Sequence, residues 1–562
     1  MRSRRRNPVD SRIRFLLALL ILAFAALLGR AAWLQGVRAE SLARMAEQQH
    51  RQTVAIPATR GTIYDRTGLQ LAIGEQATTV YADPRLIRDP RRVAYEAGRL
   101  LGVDVGRIYQ KLRDRRSRFV YIERKSDPEQ AKLLEKKGFD GVGFYPEERR
   151  SYPQGGIAAH VLGYAGLDNQ GLAGLELRLD RVLRGRPGSE TVVRDPFGRA
   201  IDFLAEEDEH EGRSVSLTLD HTLQANAQVV LRNTVERWDA RSATAIVLAP
   251  HTGDVLAMAV APGFDANRFG TTPSETSRNR TVTDVYEPGS TFKLITVAGA
   301  LSDGLVTPQT SFVLPYSIQV ADRVIHDAEQ RGTETMSVAR ILSHSSNVGA
   351  ITLAQRLGKE RLSRWITRFG FGRKTRIGYP GEARGFVLAP DEWSGSTIGN
   401  VPIGQGIAVT PVQMAAAYGA IANDGVWVQP HLVKRVQGAR PVRPQRRRVV
   451  SPTVAAQLNA MLQNVVSGGT GTSAAVPGYK VAGKTGTAEK PSPYGGYGTG
   501  KYVASFVGMV PASDPKLVIL VVVDEPTVTY WGGVVAAPAF AEIARFALQY
   551  LEVPPDAAGR AQ

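Results

Sequence analysis

Residues 504–526 read ASFVGMVPASDPKLVILVVVDEP. Two apolar runs stand either side of a Pro, Ser and Asp cluster, which is the pattern of a β-hairpin. A matching pair lies far upstream. SATAIVLAPHTGDVLAMAVAP, residues 242–262, reads as two apolar strands around His251, Thr252 and Gly253. Helical stretches accompany them. HTLQANAQVVLRNTVERW has helical periodicity, and APAFAEIARFALQYLE reads as a closing helix. SVSLTLD, 214–220, adds a strand. Hairpins at both ends with helices between them predict an antiparallel sheet packed by helices, an α+β class.

Upstream of this region the acidic run AEEDEHEGR, 205–213, is the best candidate for a domain junction. Before it, IPATRGTIYDRTGLQLAIG reads as two short strands around the turn Asp65, Arg66, Thr67 and Gly68. Residues 80–150 are mixed and charged, with helical stretches such as DPRRVAYEAGRLLG. The N-terminus has its own pattern. MRSRRRNPVDSRIR carries six arginines and one aspartate, and the uncharged run FLLALLILAFAALLG follows at 15–29. Extended to Leu34, the run reaches about the 20 residues that a bilayer requires. Arg30 then snorkels near the far interface beside Trp33 as an aromatic anchor. The positive flank stays cytoplasmic, which puts the bulk of the chain outside. A cleaved signal peptide is the competing reading, but no A-x-A site stands convincingly at the end of the run. GVRAESLARMAEQQHRQ reads as an exposed helix leading away from the membrane. The expected plan is a cytoplasmic tail over 1–14, an anchor over 15–35, an amino-terminal domain over 36–212, a larger domain over 213–553 and a tail over 554–562.

Composition removes several function classes. Seventy Lys and Arg against 53 Asp and Glu give a formal charge of +17 on 562 residues. No zinc finger, helix-turn-helix or aromatic RNA-binding signature accompanies that charge, so a nucleic-acid partner is not expected. A diffuse basic charge suits an anionic membrane or wall surface equally well. The stretch GARPVRPQRRRVVSP reads as a solvated, proline-broken loop. With no cysteine there is no disulfide and no thiolate nucleophile or ligand, and the eight histidines show no ligand spacing. No metal or other cofactor is expected.

The chemistry sits in three short motifs. VYEPGSTFKLIT, 285–296, places Ser290 at the mouth of an apolar helix and Lys293 three residues on, on the same face. An ammonium there opposes the helix dipole. Ser345, Ser346 and Asn347 follow 55 residues after Ser290, and Lys484, Thr485, Gly486 and Thr487 begin 137 residues after Asn347. A serine hydroxyl needs a nearby base. A lysine buried in apolar surroundings near a second cation, here Lys484, loses basicity and can be that base. Ser345 offers a hydroxyl for proton relay to a leaving amine, and Asn347 an amide that orients substrate and Lys293. The segment after YKVA reads as a strand whose edge an extended peptide can join. Gly486 lets another backbone approach closely, while Lys484 and Thr485 meet a substrate carboxylate. His344, next to the second motif, reads as a packing or surface residue.

S-x-x-K, S-x-N and K-T-G in this order resemble the signature of penicillin-binding proteins and serine β-lactamases. Across nearly the whole chain the sequence resembles the class B penicillin-binding proteins, monofunctional peptidoglycan D,D-transpeptidases. RGTIYDRTG, RSYPQGGIAAHVLGY, GLAGLE and RDPFGR are similar to segments of that family's elongated pedestal, or dimerisation, domain, and GQGIAVTPVQMAAAYGAIANDG to the stretch between its second and third motifs. The resemblance implies an acyl-enzyme between Ser290 and the penultimate D-Ala of a peptidoglycan stem peptide. It also implies an oxyanion hole from the backbone N–H groups of Ser290 and Thr487, and acylation of Ser290 by β-lactam antibiotics. RNRTVTDVYEPGSTFK, with Glu287 before Pro-Gly-Ser, is similar to the division or septal type; elongation and sporulation types are the alternatives. Implied partners are lipid II-derived glycan strands, a SEDS-type glycosyltransferase and other division membrane proteins. Ala266, in FDAN, departs from the proline common in the family, and no PASTA repeats follow. A serine β-lactamase would need a deacylation base and usually lacks both anchor and pedestal.

Overall fold

The computed structural model describes residues 8–41, 51–56, 58–194, 200–492 and 494–556. The arginine-rich start over 1–6, most of the expected exposed helix in 36–52, residues 195–199 of RDPFGR and the tail beyond 556 lie outside the described residues. The chain divides into two compact units, Met1–Ala58 with Gly185–Glu211, and Thr59–Arg184 with Gly212–Gln562.

In the first unit a 29-residue helix, Pro8–Gly36, carries the apolar run. Its segment Arg12–Gly36 is long and apolar enough to cross a membrane. The helix begins within the expected tail, so Arg12 and Arg14 lie on it. Its large side chains are bare, with Leu20 and Leu22 among those exposed, and such a surface calls for lipid. The Arg30 and Arg38 guanidinium groups both lie over the Trp33 ring, at 5.2 and 4.8 Å. The same unit holds an antiparallel three-stranded sheet of Arg51–Ile56, Gly188–Arg194 and Ala200–Glu207.

The second unit contains the sheet predicted from 242–262 and 504–526. Its strands are β1 (Ser242–Leu248), β2 (Val255–Ala261), β3 (Ala482–Glu489), β4 (Tyr502–Val510) and β5 (Leu517–Asp524). They run in the order β2-β1-β5-β4-β3, every pair antiparallel. Six helices position the site: α1 (His221–Trp238), α2 (Lys293–Ser302), α3 (Asn347–Leu357), α4 (Pro411–Ala422), α5 (Pro452–Gly468) and α6 (Gly532–Tyr550). In β5, Ile519, Val521 and Val523 pack with Leu223 and Val230 of α1 and Phe540 of α6. The alternate residues Val518, Leu520 and Val522 pack with Leu294 of α2, Met414 of α4 and Leu458 of α5. Helices on both faces explain why LVILVVV is unbroken rather than alternating: both sides of the strand are core. α2 is likewise buried all round, Lys293 to Leu301, as an apolar helix without a polar face must be.

A second sheet runs through Val433–Val436, Val215–Leu217, Ile63–Tyr64, Gln70–Ala82 and Val120–Ser126, with Val142–Ser151 also paired to Gln70–Ala82. The strand expected in SVSLTLD therefore joins Ile63–Tyr64 in parallel and Val433–Val436 antiparallel, not the central sheet. The turn at 65–68 forms as expected. Asp65 accepts from the Thr67 and Leu69 N–H groups at 2.8 and 2.9 Å, and Gly68 takes a φ of 98°. The run after it is a 13-residue strand rather than a short one. Three separate segments then meet in one buried network. Arg60 from RGTIYDRTG and Arg150 from RSYPQGG each donate to Glu176 from GLAGLE, through Nε at 2.7 Å.

Candidate active site

Ser290 lies on a 3-10 turn, Gly289–Phe292, and the α-helix proper opens at Lys293. The hydroxyl is not the helix cap, because no side-chain capping bond forms there. The turn is held on several sides. Thr291 Oγ1 donates to Pro288 O at 2.8 Å, Tyr418 of α4 donates to Thr291 O at 2.9 Å, and Gly289 N donates to Gly404 O at 3.1 Å. Gly404 has to be glycine: a Cβ there would lie 2.1 Å from Gly289 O. Ser290 is left half-buried, with its hydroxyl unengaged among the described residues.

Lys293 is 1% exposed. Its amine donates to Asn347 Oδ1 at 2.7 Å, to Ser345 Oγ at 3.2 Å and to Ser345 O. Desolvation pushes its pKa down to about 7, against the pull of the Asp327 carboxylate, which favours the ammonium. The sequence predicted Lys484 as the second cation that lowers Lys293. In the structure burial does that work, and the repulsion falls on Lys484. Its amine is 0% exposed and held well below the ordinary lysine value, first by burial and then by Lys293. Ser345 takes a φ of 59°, a left-handed conformation that side chains seldom adopt.

One residue that organises this loop was not visible in the sequence. Asp327 is 5% exposed and lies at the start of α3. It accepts from the backbone of Asn347 and Val348 at 2.5 and 3.0 Å and from Ser346 Oγ, and it pairs with Arg331 at 2.6 Å. Asn347 Nδ2 donates to His326 O at 2.9 Å. The strand Arg323–His326 and its following aspartate therefore fix the second motif. Asp327 lies 18 residues upstream of Ser345, so no local pattern points to it. His344 bonds Ser343 Oγ and is exposed, as expected.

The third motif lies on β3, the edge strand of the central sheet. Lys484 Nζ donates to Thr485 Oγ1 at 3.3 Å, and Thr485 Oγ1 shares a hydrogen bond with Thr470 at 2.8 Å. Gly486 does admit a second backbone, and that backbone is the Ser290 turn. A Cβ at 486 would lie 2.8 Å from Pro288 O and 2.4 Å from Ser505 Oγ. A Cβ at Gly289 would lie 2.8 Å from Thr487 O. Thr487 Oγ1 accepts from Gly532 N at 3.0 Å, which ties the preceding aromatics to the strand. Tyr530 stacks on Tyr502 at 4.1 Å and sits 5.0 Å from Trp531. Glu287 accepts from Gly406 N at 2.9 Å and from Tyr497 OH at 2.8 Å. Lys293, Ser345 and Asn347 thus form one hydrogen-bonded cluster, with Ser290 on the turn that precedes Lys293, and the segment 484–487 belongs to the strand packed against that turn.

The chain matches two family models, the penicillin-binding protein transpeptidase domain over 243–545 and the penicillin-binding protein dimerisation domain over 55–217. It is 33% identical to the peptidoglycan D,D-transpeptidase FtsI of Escherichia coli, with 98% of this chain and 94% of that one covered. It is also 33% identical to the stage V sporulation protein D of Bacillus subtilis, covering 97% and 87% respectively. Among solved structures it is similar to penicillin-binding protein 3 of Mycobacterium tuberculosis complexed with ampicillin. That match has a TM-score of 0.72 and 31% identity over 90% of this chain and 98% of the other. With both domain models, a relative across nearly its full length and the three motifs gathered around one buried lysine, the chain belongs to the class B penicillin-binding proteins, the peptidoglycan D,D-transpeptidases.

Proposed function

We propose that Ser290 is the acylated nucleophile and Lys293 its base. The observation that carries this is a buried amine, held by Ser345 and Asn347, whose pKa of about 7 leaves a neutral fraction at physiological pH. Neutral Lys293 takes the Ser290 proton as Oγ attacks the carbonyl of the penultimate D-Ala. The backbone N–H groups of Ser290 and Thr487 stabilise the oxyanion. Collapse breaks the peptide bond, and the departing D-Ala amine receives its proton through Ser345. The amine of a second stem peptide then attacks the ester, loses its proton by the reverse route and frees Ser290. Lys484 and Thr485 receive the substrate carboxylate, whose negative charge restores the ammonium of Lys484, and Asn347 orients the bound peptide. Labelling with a fluorescent penicillin tests the assignment. Ser290→Ala is expected to abolish covalent labelling while the fold persists, since that hydroxyl bonds to nothing among the described residues. Stoichiometric labelling of the variant would refute it.

The anchor reading supports residues 1–14 in the cytoplasm, a membrane segment over 15–35, and both the 36–212 and 213–553 domains outside. Protease accessibility in sealed cells checks that orientation. Glu287 before Pro-Gly-Ser supports septal wall synthesis, with a SEDS-type glycosyltransferase supplying glycan strands and β-lactams acylating the same serine. Filamentation on depletion agrees with the septal role, whereas rounding favours elongation and loss of spores alone favours sporulation.

A further inference from the structure

A cavity of about 1540 Å³ is lined by Glu360, Arg364, Arg368, Arg373, Lys374, Arg376 and Arg384, together with Trp427 and with Arg446 and Arg447 of the strand Arg446–Arg448. None of its residues belongs to the three motifs. Eight of the side chains lining it are cationic and one is a carboxylate. Among the described residues none of the eight forms an ion pair within the cavity. The lining carboxylate, Glu360, lies 4.0 Å from Lys359, and a neighbouring acid is already engaged: Glu382 accepts from Thr375 N, Thr375 Oγ1 and Arg376 N, at 2.5, 2.6 and 3.1 Å. It shapes the loop and leaves the guanidinium groups unpaired.

The scaffold beneath these cations is rigid. Arg364 and Arg368 are four residues apart on the helix Lys359–Phe369, and so project from one face. Gln413 Nε2 donates to Arg373 O and Arg384 O at 2.8 and 2.9 Å, and Gln429 Nε2 donates to Arg376 O. Arg447 stacks on Trp427 with its guanidinium carbon 4.5 Å from the ring centre, and donates to Arg368 O. Its pKa is lowered by burial and by Arg373 and Arg368 facing it. Holding like charges together costs stability that a bound anion returns. Arginine dominates the set, and its planar fork matches phosphate oxygens two at a time.

The geometry points to a binding site for a multiply charged phosphate anion, with two or more linked phosphoryl groups, in the cavity between the helix Lys359–Phe369 and the strand Arg446–Arg448. Arg446 and Arg447 of the RRR segment, which the sequence alone reads as a solvated loop, belong to this site. The site is separate from acyl transfer. Such phosphates come from a free phosphate chain or from a lipid headgroup.

The test uses the full-length protein in neutral detergent, with inorganic tripolyphosphate as the probe at physiological salt. Saturable binding is expected. It should weaken at least about tenfold in the triple variant Arg373→Gln, Lys374→Gln, Arg376→Gln, and little in the charge-matched Arg115→Gln, Arg116→Gln, Arg118→Gln. Penicillin labelling should be unchanged in both, which reports an intact fold. Competition by farnesyl diphosphate well below the concentration that inorganic diphosphate needs identifies a lipid headgroup as the source, and equal competition by the two identifies a free phosphate chain. Absence of saturable binding, or equal loss in the two triple variants, overturns the site.

Discussion

An ammonium that enters an apolar core loses its hydration, and Lys293 meets that cost with three acceptors and a pKa near 7. The proposed base therefore titrates within the working range of the protein. Penicillin acylation is expected to rise with pH through about 7 and level off above it, falling about tenfold per unit on the acid side as the neutral fraction falls. Burial lowers that midpoint and Asp327 partly offsets the fall, because its charge favours the ammonium. In Asp327→Asn the midpoint should move to lower pH. The helix cap and the Arg331 pair also weaken, and the plateau rate should fall as Ser345 loses its support. Stopped-flow acylation across pH 5–9 checks both effects, and an unmoved midpoint would argue against Lys293 as the titrating base. Ser290 and Lys293 were legible because their spacing puts them on one helix face, and the other motifs because their order is the signature of the family the chain resembles. Asp327 was not, since its role comes from a fold contact that no periodicity records.

Between the strand β3 and the Ser290 turn, function depends on missing atoms. Gly486 has an ordinary extended backbone, and what excludes a side chain there is space: a Cβ would lie 2.4 Å from Ser505 Oγ and 2.8 Å from Pro288 O. The Ser505 hydroxyl can rotate away, but the Pro288 carbonyl is part of the turn. Gly486→Ala is expected to leave the β3–β4 pairing in place, displace the turn and slow acylation by about 100-fold, the usual consequence of a misplacement near 1 Å. Unchanged acylation with a stable fold would show that the turn yields without cost. The strand and the hairpins were readable as apolar runs between turn residues. The partner of Gly486 was not, because the sequence describes an opening without naming what fills it. Val215–Leu217 shows the same limit: its strand character was plain, but its sheet depended on pairing with Ile63–Tyr64 and Val433–Val436, far apart in the chain, which no local pattern records.

At the scale of the molecule, distant segments of one unit are joined by buried charge, while the other unit holds an unburied apolar helix. Glu176 is 0% exposed and holds two guanidinium groups, those of Arg60 and Arg150, themselves 1% and 2% exposed. Among the described residues, removing it leaves Arg150 with no carboxylate and Arg60 with Asp180 alone, and Glu176→Ala is expected to cost about 3–5 kcal/mol, read as a lowered denaturant midpoint with the penicillin-labelling rate of the folded protein retained. The anchor has the opposite character. Its large apolar side chains from Phe15 to Leu28 are exposed among the described residues, and a Cβ at Gly29 would meet no atom within 4 Å. Substitutions there leave the described fold undisturbed, so a loss of association can be assigned to the helix surface. Ala23, Ala25, Ala26, Gly29 and Ala32 are small residues of the kind that let helices approach closely in lipid. If they seat the glycosyltransferase, Ala25→Leu or Gly29→Leu should reduce its co-purification from membranes while Ser290 acylates at the normal rate. Co-purification and acylation measured on the same preparations separate the two roles. Undiminished co-purification in both variants would remove the small-residue face as the seat of the partner and leave the transpeptidase chemistry untouched.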